Sequence, residues 1–197
     1  MDIKYLEIDA SPEVEPEEWG FVLSKALTRL HGIFRSQEIR GGIDLPLATK
    51  TSTGSKVRVF AREPVLNAVI NNAGIQEFQK RHMINIGPIR QVPKDARKIR
   101  MKRVRKKGET ELLKKAQRQR QFLLNKGVDP KEAKSVQTLK AEARDQTPRP
   151  YFLIEKEDGK YSIFFKQEPA PEDAAWNEAG FNSYGLSSNG QGVVFRF

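Results

Sequence analysis

"PEEWGFVLSKALTRLHG", residues 16–32, sets Trp19, Val22, Leu23, Ala26, Leu27 and Leu30 at helical spacing. Pro16 suits a first helical turn, Glu17 and Glu18 favour its positive end, and Gly32 suits a left-handed stop. This reading makes His31 the last residue of an amphipathic helix. Upstream, "DIKYLEID" alternates apolar and charged residues as a strand does. Downstream, "RGGIDLPLA" and "KVRVFA" read as two strands joined by the polar "TKTSTGS". "EPVLNAVINNAGIQEFQKRH" reads as a helix interrupted near Gly74, and "MINIGPIRQVP" as a short strand. The order β-α-β-β-α-β over residues 1–92 predicts a ferredoxin-like domain, the architecture of RNA-recognition modules. That order alone fits many functions.

The composition changes at Pro93. Between Lys94 and Arg120 stand 13 Lys or Arg against 3 acidic residues, a surplus of ten that equals the net charge of the whole chain, +10. The rest of the chain is therefore neutral. Gly108 divides the basic segment into an irregular arm and a helix, "ETELLKKAQRQRQFLLNKG", with Leu112, Leu113, Ala116, Phe122 and Leu123 on its inner side and Gly127 as its stop. "DPKEAKSVQTLKAEA" predicts another helix. "YFLIEKEDGKYSIFFKQ" predicts a hairpin around Asp158-Gly159. The tail, "AGFNSYGLSSNGQGVVFRF", carries two short strands around a Gly/Ser/Asn loop. The expected fold class is α+β: residues 1–93 a ferredoxin-like (RRM-like) domain, and residues 94–197 a domain with an Arg-rich helix and a small antiparallel sheet.

Composition excludes several chemistries. No run of apolar residues is long enough to span a membrane, and an acidic N-terminus is no targeting peptide. With no cysteine and only His31 and His82, neither a disulfide scaffold nor a metal site of thiolate or imidazole ligands is expected. No cofactor motif is present, and a reducing cytoplasm fits. A sequence pI near 9.8 with segregated charge points to nucleic acid before an anionic membrane. The basic segment lacks the large apolar face a membrane-surface helix needs.

A basic arm followed by a helix can hold phosphates or read base edges, while charge alone equally describes a solvated face. Arg103 and Arg105 alternate in the arm, with Lys107 two residues on. Lys114, Lys115 and Arg118 lie three or four residues apart, one helical stripe, with Arg120 beyond. His31 reads either as an electrostatic cap or as a general acid or base. Tyr184, in "FNSYGLSS", reads as a core aromatic unless it serves a site. Lys156 and Lys160 flank the hairpin turn.

Taken in order, "KYLEI", "RLHG", "GIDLP", "RQVP", "RVRKK", "RPYFLI" and "SYGLS" resemble the CRISPR repeat-processing endoribonucleases of subtype I-F. The resemblance covers essentially the whole chain. It implies a metal-independent nuclease that cuts precursor RNA beside a repeat hairpin and stays bound to the mature RNA as a subunit of the type I-F surveillance complex. His31 falls on the family's general base, and Tyr184 on its active-site tyrosine. Arg103 falls on an arginine that reads a base near the foot of the stem. Tyr161 falls on an aromatic that stacks there, and Arg120 at the end of the arginine helix. Arg105 replaces a family glutamine, Ala116 and Gln121 replace basic or histidine residues, and Lys156 stands where a serine constrains the nucleophilic ribose. Two other classes share these features: a non-catalytic RNA-hairpin-binding module, in which His31 is a cap, and a ribosome- or DNA-associated protein.

Overall fold

The computed structural model describes residues 2–36, 40–104, 109–142, 147–156 and 159–197. They form a mixed α+β structure built on two antiparallel sheets. β1 (Lys4–Ala10) is central to the first, because Leu6 and Ile8 must both be covered and each is fully buried. On one side it pairs with β3 (Lys56–Ala61), setting Leu6 opposite Val59 and Ile8 opposite Val57. On the other lie β4 (Ile84–Ile86) and β5 (Arg90–Gln91), while β2 (Gly42–Asp44) extends the sheet beyond β3. The strand order is β2-β3-β1-β4.

After a 3-10 turn at Pro16–Glu18, α1 spans Trp19–Ser36 and runs through Gly32 instead of stopping there. The reason is the apolar stripe: Ile33 and Phe34 prolong the buried row of Leu23, Ala26, Leu27 and Leu30 for another turn. Burying each such side chain stabilises by about 1.5–3 kcal/mol, more than the roughly 1 kcal/mol that a helical glycine costs. His31 is thus an interior helical residue, not a cap. The second helical region is two helices, α2 (Glu63–Ile70) and α3 (Ala73–Lys80). They break at Asn71–Asn72 rather than at Gly74, because the Asn72 side chain caps α3 by accepting from the Gly74 and Ile75 amides at 3.1 and 3.2 Å.

The second sheet has the order β7-β8-β6-β9, with β6 (Arg97–Val104), β7 (Tyr151–Lys156), β8 (Gly159–Pro169) and β9 (Val194–Arg196). The expected irregular arm is in fact strand β6 up to Val104. It is paired on both edges, so backbone hydrogen bonding holds a sequence that offers only Met101 as a buried apolar side chain. The expected hairpin is present, with Lys156 opposite Gly159; Asp158 lies outside the described residues. The expected division near Pro93 falls in sequence between the two sheets. By contacts, residues 1–104 and 149–197 make one compact unit, and residues 105–148 another. In the first, Met101, Phe152, Ile163, Phe165 and Phe181 join the same core as Leu6, Leu27 and Phe60.

The second unit holds α4 (Glu109–Asn125) and α5 (Val136–Glu142). Leu112 and Ala116 are its buried helix positions, together with Leu139 of α5. Leu113 and Phe122, expected inward, point outward; at 60% exposure Phe122 is plainly on the surface. Just past the end of α4, Gly127 has a φ of +81°, the left-handed conformation that a glycine stop supplies. α5 begins later than expected because Ser135 accepts from the Thr138 amide at 3.1 Å and fixes the start. Among the described residues no helix is long and apolar enough to cross a membrane.

Candidate active site

The site begins with a turn. The Asn182 side-chain oxygen accepts from the amides of Tyr184 at 2.8 Å and Leu186 at 3.2 Å, and the Gly185 amide donates to the Asn182 carbonyl at 2.9 Å. Gly185 sits at φ +72°, and its carbonyl accepts from the Ile43 amide at 2.9 Å. A Cβ there would lie 2.8 Å from Ile43 Cγ2 and 3.2 Å from the Gly41 carbonyl oxygen, so both backbone angle and space require glycine. Two residues on, the Ser187 amide donates to the Met101 carbonyl of β6 at 2.7 Å. The turn is therefore pinned to β2 and to β6.

Pinned so, it holds His31 from two directions. The Ser183 carbonyl lies 3.2 Å from His31 Nδ1, and the Tyr184 ring stacks on the imidazole with centroids 4.0 Å apart and planes 3° from parallel. A carbonyl oxygen can only accept, so Nδ1 carries the proton of this bond. In the neutral ring Nε2 is then the nitrogen with the lone pair. His31 itself is half-buried on α1.

Tyr184 is buried, and its hydroxyl is hydrogen-bonded to that of Tyr161 on β8. Burial first, then the bond to Tyr161, pushes the Tyr184 phenol above its ordinary pKa, with the Arg103 cation pulling weakly the other way. Near neutrality Tyr184 is therefore a neutral hydrogen-bonding ring. Arg103 stands exposed on β6, opposite Phe165.

The structure thus gathers His31, Tyr184, Tyr161 and Arg103. Lys156 ends β7, and its side chain lies outside what is described. Its neighbour Glu155 bonds to Lys25 of α1 and to Lys160 at 2.6 Å, which hold its carboxyl down at about 2. Arg105 and Lys107 lie outside the described residues. In the second unit Lys114, Lys115 and Arg118 share one side of α4 with Glu111 and line a shallow cleft of about 340 Å³. Arg120 departs from that stripe: four residues beyond buried Ala116, it lies on the inner side, half-buried.

Sequence reasoning passed over Asn182, Gly185 and the Ser183 carbonyl. The Asn before Ser-Tyr-Gly was a usable signal for a side-chain-capped turn; a backbone carbonyl leaves no trace in sequence. A cleft of about 660 Å³, whose lining includes His31, Arg35, Arg40, Asn182, Ser183 and Ser188, was likewise not anticipated.

No curated protein matches the chain. The family profile described as CRISPR-associated protein (Cas_Csy4) matches residues 5–194. That span takes in both sheets, α1 with His31 and the turn with Tyr184, and the chain belongs to the Cas_Csy4 family of CRISPR-associated proteins, the repeat-processing family of subtype I-F that its sequence resembles.

Proposed function

We propose that this chain is a metal-independent endoribonuclease that recognises the hairpin of a CRISPR repeat and cuts the precursor transcript beside it. What carries the reading is the Ser183 carbonyl on His31 Nδ1, which leaves Nε2 as the basic nitrogen, with Tyr184 fixing the ring plane. In the proposed reaction Nε2 takes the proton of the ribose 2′-hydroxyl adjoining the scissile phosphate. The 2′-oxygen forms a bond to phosphorus as the bond to the 5′-oxygen breaks, and the departing oxygen takes a proton. The products are a 2′,3′-cyclic phosphate and a 5′-hydroxyl. RNA brings its own nucleophile, so the protein has to align, deprotonate and stabilise charge.

In this reading Tyr161 and Arg103 meet the foot of the stem, Arg103 by contacting a base edge. Lys156 supports the phosphorane, and Lys114, Lys115 and Arg118, with Arg105, Lys107 and Arg120, hold phosphates. A short hairpin ends within a few pairs, so its groove is open at the loop to a basic helix, unlike that of long A-form RNA. The product stays bound, as the RNA-holding subunit of the type I-F surveillance complex. We also read the first sheet as ferredoxin-like, which the order β2-β3-β1-β4 and the succession β-α-β-β-α-β support.

The test is incubation with a repeat hairpin RNA in excess EDTA, followed by end-group analysis. Cleavage leaving a cyclic phosphate is expected. Chelator-sensitive cleavage, or a 5′-phosphate product, would overturn the reading.

A further inference from the structure

The 660 Å³ cleft beside His31 is lined by the end of α1, by Arg40, and by Asn182, Ser183 and Ser188. Arg103 and Tyr161, on β6 and β8, are not among its described lining residues. His31 and Arg35 are four residues apart on α1, so they share a helix face about 6 Å apart along the axis. That is the order of the spacing between neighbouring phosphates on one strand. Arg40 also lines it, an exposed residue that donates one N–H to the Phe181 carbonyl at 3.0 Å. Asn182, Ser183 and Ser188 add neutral polar groups, and no carboxylate lines the cleft among the described residues.

A cleft whose described lining holds two guanidinium groups, no carboxylate and the candidate base at its edge suits a polyanion that reaches His31 and continues past it. We propose that it binds the leaving strand of the RNA, the nucleotides downstream of the scissile phosphate, with Arg35 and Arg40 holding successive phosphates. This rests on the cleavage reading above: the stem side is assigned to Arg103 and Tyr161, and a strand cut at His31 must leave by another route. Holding it from both sides would pull the backbone straight across Nε2, the alignment that in-line attack by a 2′-hydroxyl needs.

The experiment compares a repeat hairpin RNA ending one nucleotide past the cut with the same RNA extended by four uridines. Each is made with ribose at the cut for single-turnover rates, and with deoxyribose there for binding. The extended RNA should bind about fivefold more tightly for each arginine engaged, the scale of an exposed ion pair, and the gain should shrink with salt. Arg35→Ala should bring the ratio of extended to short affinity down about fivefold, and Arg35→Lys should restore most of it. Because Arg40 also holds the Phe181 carbonyl, Arg35 decides the matter should Arg40→Ala unfold. An affinity ratio of one in the unaltered protein, or a ratio that Arg35→Ala leaves intact, overturns the subsite. Tight, arginine-dependent binding of the extension without cleavage of the ribose RNA would instead keep the subsite and remove the nuclease.

Discussion

In the proposed reading the turn around Tyr184 serves cleavage and the outer face of α4 holds phosphates, and the two are built in opposite ways. The turn is held by backbone: two amides on Asn182, a glycine that admits no side chain, and strands β2 and β6 on either side. Its ionisable partner, His31, comes from a helix whose other face is core. The cations Lys114, Lys115 and Arg118 stand on an exposed helix surface, with Glu111 the one acid among the described residues of their shallow cleft. A reacting group must be fixed to a fraction of an ångström, whereas a phosphate grip can be spread over several flexible side chains. Damage to the turn should therefore be steep and specific, and damage to the helix face shallow and additive.

The largest effect falls on His31. His31→Ala should slow single-turnover cleavage by about 10²–10⁴-fold, the usual worth of a positioned base, while hairpin affinity stays near that of the unaltered protein. A deoxyribose at the cut should stop cleavage outright, since the nucleophile is gone. Full cleavage by His31→Ala would dissolve the contrast, because the turn would then be scaffold alone.

Next comes the frame itself. Gly185→Ala forces a left-handed alanine and pushes a methyl into Ile43. Together these should destabilise the protein by about 2–4 kcal/mol in urea unfolding and slow cleavage in whatever stays folded. A neutral result would mean that the turn can shift without cost, so that His31 is less tightly held than its contacts imply.

Arg103 sits between the two regimes, an exposed cation on a paired strand near Tyr184. Arg103→Ala should cost about 1–3 kcal/mol of hairpin affinity and relax preference at one base. On α4, Lys114→Gln, Lys115→Gln and Arg118→Gln should each weaken all hairpins alike and lower the salt slope by about one. If Arg103→Ala weakens every hairpin equally, it belongs with the helix cations.

Periodicity made α1, β1, β3 and the β7–β8 hairpin legible because each buries a repeating apolar face, the property that sequence displays most directly. β6 was hidden for the converse reason. Charged side chains dominate it, and its strand character comes from partners at both edges, one of them about 60 residues downstream. Gly32 misled because a local stop signal was weighed without the buried Ile33 and Phe34 beyond it. Of the candidate site, His31, Tyr184 and Tyr161 were named by resemblance. The carbonyl that orients His31 comes from a residue 152 positions away, and only folding brings it there.

The smallest effect concerns the β7–β8 hairpin, where Glu155 bridges Lys25 of α1 and Lys160. Hydrogen bonds from the two lysines, that from Lys160 first, hold the carboxyl down to about 2 from an ordinary 4.5. A carboxylate depressed in the folded state stabilises fully above its unfolded pKa, and that contribution drains away as pH falls from 4.5 towards 2. The carboxylate keeps 30% of its side chain in solvent and so is screened, and the gain is modest. Glu155→Gln should therefore lower the melting temperature slightly at pH 7, and the difference should narrow by pH 3 and close only as pH falls below about 2. The same substitution frees Lys25 and Lys160 from their shared partner. If that bridge holds α1 against β7, cleavage should slow modestly at pH 7 with little change in hairpin affinity, placing this corner with the rigid frame. A melting difference that persists undiminished at pH 3 would show that Glu155 acts through packing rather than charge.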